Sequence, residues 1–191
     1  MNKKTKESLK YIYRTISQCI LTLIVAACFN VVWDKKLNTL LYRQYLGKGN
    51  ILVLAVYLVI TVLFLYAFGG YKVGVNKKSN VVLSQVIAMF CVNTIEVIIT
   101  ILMVGQVKDI RTILGSYAVL WMAQCFVLLL ITTIIMTIYR HAFPPYRMIQ
   151  VYGDYTNNLI MKMNARDDKY IIDAEVNCHE PIDEIAKMIQ N

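Results

Sequence analysis

The chain has 191 residues, of which 58% are apolar and 17% are charged, and its mean hydropathy is +0.52. Soluble domains carry about 25% charged residues, so this composition excludes an ordinary soluble domain and predicts a membrane protein. The net charge of +8 is expected to face anionic lipid headgroups. Nucleic acid is not expected as a partner, because no basic patch is interleaved with aromatic residues.

Four apolar stretches are each long enough to cross a hydrocarbon core, which takes about 20 residues of helix. Inside lipid each stretch must be helical, because every backbone group has to be hydrogen-bonded within the segment. The predicted spans are 17–33, 51–68, 84–104 and 117–139. The fold class predicted for residues 1–143 is therefore a mainly α, four-helix membrane region.

The distribution of lysine and arginine predicts the orientation of these spans. An N-terminus in the cytoplasm leaves 14 of the 20 basic residues inside and six outside, as the positive-inside rule favours. The first outer loop, which contains Lys35, Lys36, Arg43 and Lys48, argues against this orientation. The prediction is a multi-pass protein of the plasma membrane, with both termini in the cytoplasm.

The five cysteines are not spaced as a disulfide framework. Cys19, Cys28, Cys91 and Cys125 fall in predicted spans, and Cys178 lies on the predicted cytoplasmic side, so all five are expected to be reduced. The sequence Val-Ala-Ala-Cys ending at Cys28 also resembles a lipoprotein signal. However, the apolar run continues past this cysteine, and cleavage there would leave three spans.

Glu96 is the only acidic residue well inside a predicted span. Gln85 and Asn93 share a helix face with it, so this face is expected to line the interior of the bundle. An ionisable group at this depth is costly and is a candidate for function. Two interpretations remain open, a carboxylic acid that helps the helices to pack and a group with a transport or lipid-binding role.

The loops between the spans give little chemistry. Residues 37–48 carry an apolar stripe at helical spacing and are predicted to lie on the outer membrane surface as an interfacial segment. His141 and His179 are the only histidines and have no cysteine-rich or acidic partners nearby in sequence, so no metal site is predicted. No cofactor is predicted either, since no nucleotide-binding or hydrolase motif is found.

Pro144 and Pro145 end the fourth helix at about His141, because proline removes a backbone donor and restricts the residue before it. Strands are then predicted at 148–152 and 169–176. Amphipathic helices are predicted at 154–164 and from Glu180 onward. This β-α-β-α order is the opening of a Rossmann-like domain, predicted for residues 144–191 and incomplete within them.

Gly153 follows the first of these strands, where dinucleotide-binding folds place a phosphate-binding glycine. It stands alone rather than in a three-glycine fingerprint. Asp173 lies 20 residues later, where such folds place a ribose-binding acid, but inside the predicted strand. A tight structural turn and a cofactor-binding role for Gly153 are both left open.

Three segments resemble the N-terminal half of the bacterial polyprenyl-phosphate sugar-phosphate transferases, the family that initiates exopolysaccharide and capsule synthesis. They are LYAFGGYK at the end of the second span, RHAFPPYRMIQVYGD after the fourth, and KMNARDDKYIIDAEV beyond it. The resemblance covers essentially the whole chain. It implies a membrane bundle followed by a regulatory Rossmann-like, CoA-binding-like domain.

The resemblance also implies a function. Members of this family move a sugar phosphate from a nucleotide sugar to undecaprenyl phosphate, using a C-terminal domain with an Asp-Glu acidic pair. No segment of this sequence matches that domain, so no catalytic residue is assigned. The chain is expected to be a membrane-anchoring fragment whose partners are the bilayer, a separately encoded catalytic domain and further copies of itself.

Two other classes of function are left open by the sequence. One is a self-standing four-helix membrane protein, flippase-like or an assembly subunit, in which Glu96 is the working group. The other is a standalone enzyme, which the absence of a nucleophile, base or metal constellation argues against.

Overall fold

A computed structural model describes residues 3–105, 109–153 and 170–178. The chain divides into two compact units, Met1–Thr137 and Ile138–Asn191. Four helices are long and apolar enough to cross a membrane. They are α1 (Lys3–Val32), α2 (Lys48–Ala67), α3 (Lys78–Val104) and α4 (Ile110–Ala142).

The helices pack through residues that recur about every four positions, the spacing that brings side chains to one face. In α1 the buried stripe contains Leu21, Val25 and Phe29, and in α2 it contains Tyr57, Thr61 and Leu65. Large apolar side chains elsewhere on the helices are exposed, such as Leu23, Val59, Leu102 and Phe126. Exposed apolar faces of this kind suit contact with lipid.

All four predicted spans are confirmed as parts of helices, and each helix extends beyond its predicted start. The predictions were drawn from the apolar core of each span, whereas the backbone stays helical into the polar flanks. The fourth helix ends at Ala142, one residue beyond the predicted end and two residues before Pro144.

The helical spacing of residues 37–48 corresponds to helical turns only as far as Leu40, and the interfacial placement of this segment stays a prediction. After α1 the chain forms a π-helical turn at Trp33–Leu37 and a 3₁₀ turn at Asn38–Leu40, and residues 41–47 are irregular. The Asn38 side chain hydrogen-bonds both the N–H and the C=O of Tyr45, at 2.8 and 2.9 Å. This amide therefore closes the loop that periodicity alone reads as helix.

Glycines end two of the helices. Gly69 has a φ of 77°, and the Gly70 N–H donates to the Leu65 carbonyl at 2.8 Å, which closes α2 in the manner of a Schellman motif. Gly105, with a φ of 65°, closes α3 through a 3.0 Å bond to the Ile101 carbonyl. Both positions need a left-handed conformation that glycine adopts without strain.

Strands β1 (Tyr146–Tyr152) and β2 (Tyr170–Asn177) belong to the second unit. They pair in parallel, with Tyr146 opposite Tyr170 and a register shift after Met148. Both predicted strands are thus confirmed, with ends that differ by one or two residues. The predicted helices at 154–164 and from Glu180 onward lie outside the described residues.

Candidate functional site

The polar face of α3 is buried inside the first unit. Gln85, Asn93, Glu96 and Thr100 are each at most 4% exposed. Thr94, next to Asn93 in sequence, lies on the exposed side, and its hydroxyl donates to the Phe90 carbonyl at 2.8 Å. The helix therefore turns one polar stripe inward and keeps an apolar surface outside.

Gln85 anchors the loop between α2 and α3 to the bundle. Its Nε2 donates to the Gly70 carbonyl at 3.0 Å, and its Oε1 accepts from the Thr132 hydroxyl at 2.8 Å. Both ends of the amide are satisfied within the protein, which gives Gln85 a structural role.

The same loop is tied to α1 by Tyr71. The Tyr71 hydroxyl is hydrogen-bonded to the Thr22 hydroxyl. Burial raises the pKa of Tyr71, and the hydrogen bond to Thr22 opposes this shift. The phenol therefore stays neutral and structural at physiological pH.

A network of hydrogen bonds is centred on Gln124 of α4. Asn93 Nδ2 donates to Gln124 Oε1 at 2.8 Å, and Gln124 Nε2 donates to the Tyr57 hydroxyl at 2.6 Å and the Val25 carbonyl at 3.4 Å. The Tyr57 ring stacks on Phe29 of α1, with ring centres 3.9 Å apart. One amide thus joins all four helices.

Tyr57, Gln124 and Thr132 were not identified as site residues from the sequence. Each of them is a polar residue in the middle of an apolar span. A polar residue that lies at helical spacing from buried apolar residues is the sequence pattern that could have identified them. Gln124 lies four residues after Leu120 and four before Leu128, both of which are 1% exposed.

Glu96 is the carboxylic acid of this polar face, and like Asn93 it has a buried side-chain oxygen without a hydrogen-bond partner among the described residues. The residue is 2% exposed, and its Oε1 is buried without a hydrogen-bond partner among the residues that the structure describes. An unpaired buried acceptor costs about 1–3 kcal/mol, and more when it is charged. A proton, a cation or a hydrogen-bond donor at this position would therefore stabilise the Glu96 carboxyl.

A groove of about 190 Å³ adjoins Glu96, between the start of α2 and the end of α3. Glu96 is the only carboxylic acid in its lining, and the remaining walls are largely apolar. They include Tyr45, Gly49, Leu52, Val56, Ile99 and Met103. No nucleophile is paired with a base among the residues that line this groove.

Gly153 lies directly after β1. Its φ is not positive, and a side-chain carbon added to it would meet only the Cys178 Sγ, at 3.9 Å. Neither a left-handed turn nor a close approach therefore requires glycine at this position. Its cofactor-binding role stays a prediction.

Within the described ranges, no group of three or more His, Cys, Asp or Glu side chains is placed to hold a metal ion. His141 lies in the last turn of α4, and His179 lies outside the described residues.

No protein-family model, no curated protein and no solved structure matches the chain.

Proposed function

We propose that the chain is the membrane-anchoring and regulatory part of a polyprenyl-phosphate sugar-phosphate transferase, and that a separate domain carries out the transfer. In this proposal the four helices hold the protein in the plasma membrane with both ends in the cytoplasm. The Rossmann-like unit then faces the catalytic domain, and further copies of the chain are possible partners.

One observation carries most of the proposal, the parallel pairing of β1 with β2 directly after the proline break. A parallel pair needs a crossover connection of a dozen or more residues, usually with a helix, and 17 residues separate β1 from β2. This supports a β-α-β unit of the kind that the resemblance implies. The four preceding helices supply the membrane part in the expected order.

The first test reads the genome downstream of this gene and expresses the neighbouring product. A frame that continues with the acidic-pair domain is expected. Membranes with both polypeptides should transfer radiolabelled sugar phosphate from a nucleotide sugar to undecaprenyl phosphate, whereas membranes with this chain alone should not. Transfer by this chain alone would contradict the proposal, as would the absence of such a domain nearby.

A pair of substitutions in β2 tests whether the sheet is the contact with that domain. Val176 is fully buried, and Ile171 is 38% exposed. Val176→Asp should disrupt the sheet and abolish co-purification of the catalytic domain, while the chain still inserts in the membrane. Ile171→Asp is the matched control and should preserve co-purification; equal effects of both changes would argue against a role for the folded sheet.

A second candidate, a self-standing membrane protein that handles an amphiphile, is favoured by the unpaired Glu96 carboxyl. Glu96→Leu, which removes the acceptor as well as the charge, separates the two in the 191-residue chain. Complete loss of the phenotype with no loss of protein in the membrane favours the second candidate. An unchanged phenotype favours the anchoring function.

A further inference from the structure

We infer that the groove beside Glu96 is a binding site for the polar end of an amphiphile. The ligand class is an alkyl chain that carries a hydrogen-bond donor, either a hydroxyl or an ammonium group. The inference does not depend on the proposed transferase function, because it uses only the first unit of the fold.

The donor requirement follows from Glu96. The carboxyl is buried, and its Oε1 has no partner among the described residues, unlike Gln85, whose amide is hydrogen-bonded at both ends. An O–H or N–H group that enters from the groove would complete it once the side chains that enclose Oε1 shift to admit the group. A ligand that offers only acceptors cannot supply this donor.

The hydrocarbon requirement follows from the groove walls. Leu52 is 67% exposed and Val56 is 42% exposed, and both line the groove together with Ile99 and Met103 of α3. Gly49 leaves room for the Tyr45 ring in this wall, because a side-chain carbon added at Gly49 would lie 2.7 Å from Tyr45 Cδ1. Apolar walls favour a chain over a sugar or a phosphate, which would need polar partners.

The size of the groove limits what it accepts. Sites for drug-sized molecules occupy about 300–1,000 Å³, whereas this groove has about 190 Å³. It therefore accommodates a small polar end and the first carbons of one chain, and not a complete phospholipid headgroup.

The depth of Glu96 also suits an amphiphile. The 27 residues of α3 make a helix about 40 Å long, roughly 10 Å more than the hydrocarbon core. Glu96 lies eight residues before the last residue of α3, about 12 Å from its end. With the excess shared between the two ends, the carboxyl lies about 7 Å inside the hydrocarbon boundary and about the same distance from its centre, so an amphiphile that enters from this side reaches it with its polar end below the headgroups.

Photolabelling of the full chain in lipid nanodiscs tests the site. The probes are hexadecylamine and hexadecanol, each with a diazirine near the polar end, and labelled peptides are mapped by mass spectrometry. Saturable labelling is expected within residues 49–56 and 96–103 for at least one probe. Glu96→Leu should raise its half-saturating concentration about tenfold, as loss of one good hydrogen bond predicts.

Glu96→Gln distinguishes the two donors, since it keeps an acceptor and removes the negative charge. It should preserve labelling by the alcohol and weaken labelling by the amine. Val56→Trp fills the groove, leaves Glu96 in place and should reduce all saturable labelling. Val59→Trp, on the exposed part of the same helix and outside this groove, is the matched control and should label as the unmodified chain does.

Labelling spread evenly along α2 would overturn the inference. Saturable labelling that neither Glu96→Leu nor Val56→Trp reduces would also overturn it. Because Val56→Trp retains the whole polar interior, these outcomes are distinct from a failure to fold, which circular dichroism and gel filtration of each variant detect.

Discussion

Gly70 illustrates how closely one residue can be constrained in this molecule. A side-chain carbon at this position would lie 2.9 Å from Leu65 Cδ2 and 3.1 Å from Gln85 Cγ. Leu65 is fully buried, and Gln85 is held by its bonds to Gly70 and Thr132, so neither neighbour is free to move away. Glycine is required here by space rather than by backbone conformation.

We expect Gly70→Ala to destabilise the protein by about 1–3 kcal/mol, the usual cost of forcing extra volume into a packed core. The measurement is the melting temperature in detergent, followed by circular dichroism. Gly115→Ala is the matched control. Gly115 has nothing within 4 Å of the added carbon and lies in α4, where alanine is favoured over glycine by about 1 kcal/mol. A melting temperature that falls equally in both variants would contradict the steric explanation.

The helices are held together by buried side-chain amides and hydroxyls as well as by apolar contacts. The Thr100 hydroxyl of α3 is hydrogen-bonded to the Tyr117 hydroxyl of α4 at 2.9 Å. The Tyr13 hydroxyl of α1 donates to the Ile135 carbonyl of α4 at 2.7 Å. In lipid the hydrophobic effect does not drive helices together, because lipid tails are as apolar as the side chains. Polar contacts of this kind therefore help to specify which helix faces pack against each other.

We expect Gln124→Leu to lower stability by about 1–2 kcal/mol, because it leaves Asn93 Nδ2 and the Tyr57 hydroxyl buried without this partner. Asn93→Leu should also destabilise. The double variant should lose less than the sum of the two, since the Asn93–Gln124 contact is lost only once. Thermal unfolding of all four proteins completes the cycle, and strict additivity would contradict the assigned contact.

Sequence patterns predicted the four long helices and the two strands well, and the polar interior only in part. Continuous apolar runs determine a helix by themselves in lipid, and Pro144 and Pro145 end one locally. The contacts of Gln124 could not be predicted, because they depend on how four helices are rotated against one another. The loop at 41–47 was missed because a single Asn38 side chain outweighs the periodicity of its neighbours.

At the scale of the whole molecule, the uneven charge of the loops predicts the orientation. We expect a cysteine-free version with Tyr42→Cys to react with a membrane-impermeant maleimide in intact cells. Tyr42 is 99% exposed in the loop after α1, on the side with fewer basic residues. Asn76→Cys, between α2 and α3, should react only after the cells are opened. The reverse pattern would show that the basic first loop decides the orientation.

The lengths of the helices differ in a way that bears on the choice of membrane. The 20 residues of α2 extend about 30 Å, the thickness of a typical hydrocarbon core, whereas the 33 residues of α4 extend about 50 Å. A long helix adapts to a thicker bilayer by tilting less, but α2 has no spare length. Hydrophobic mismatch would therefore act first on α2, and bilayers of increasing acyl-chain length should strain this helix before the other three.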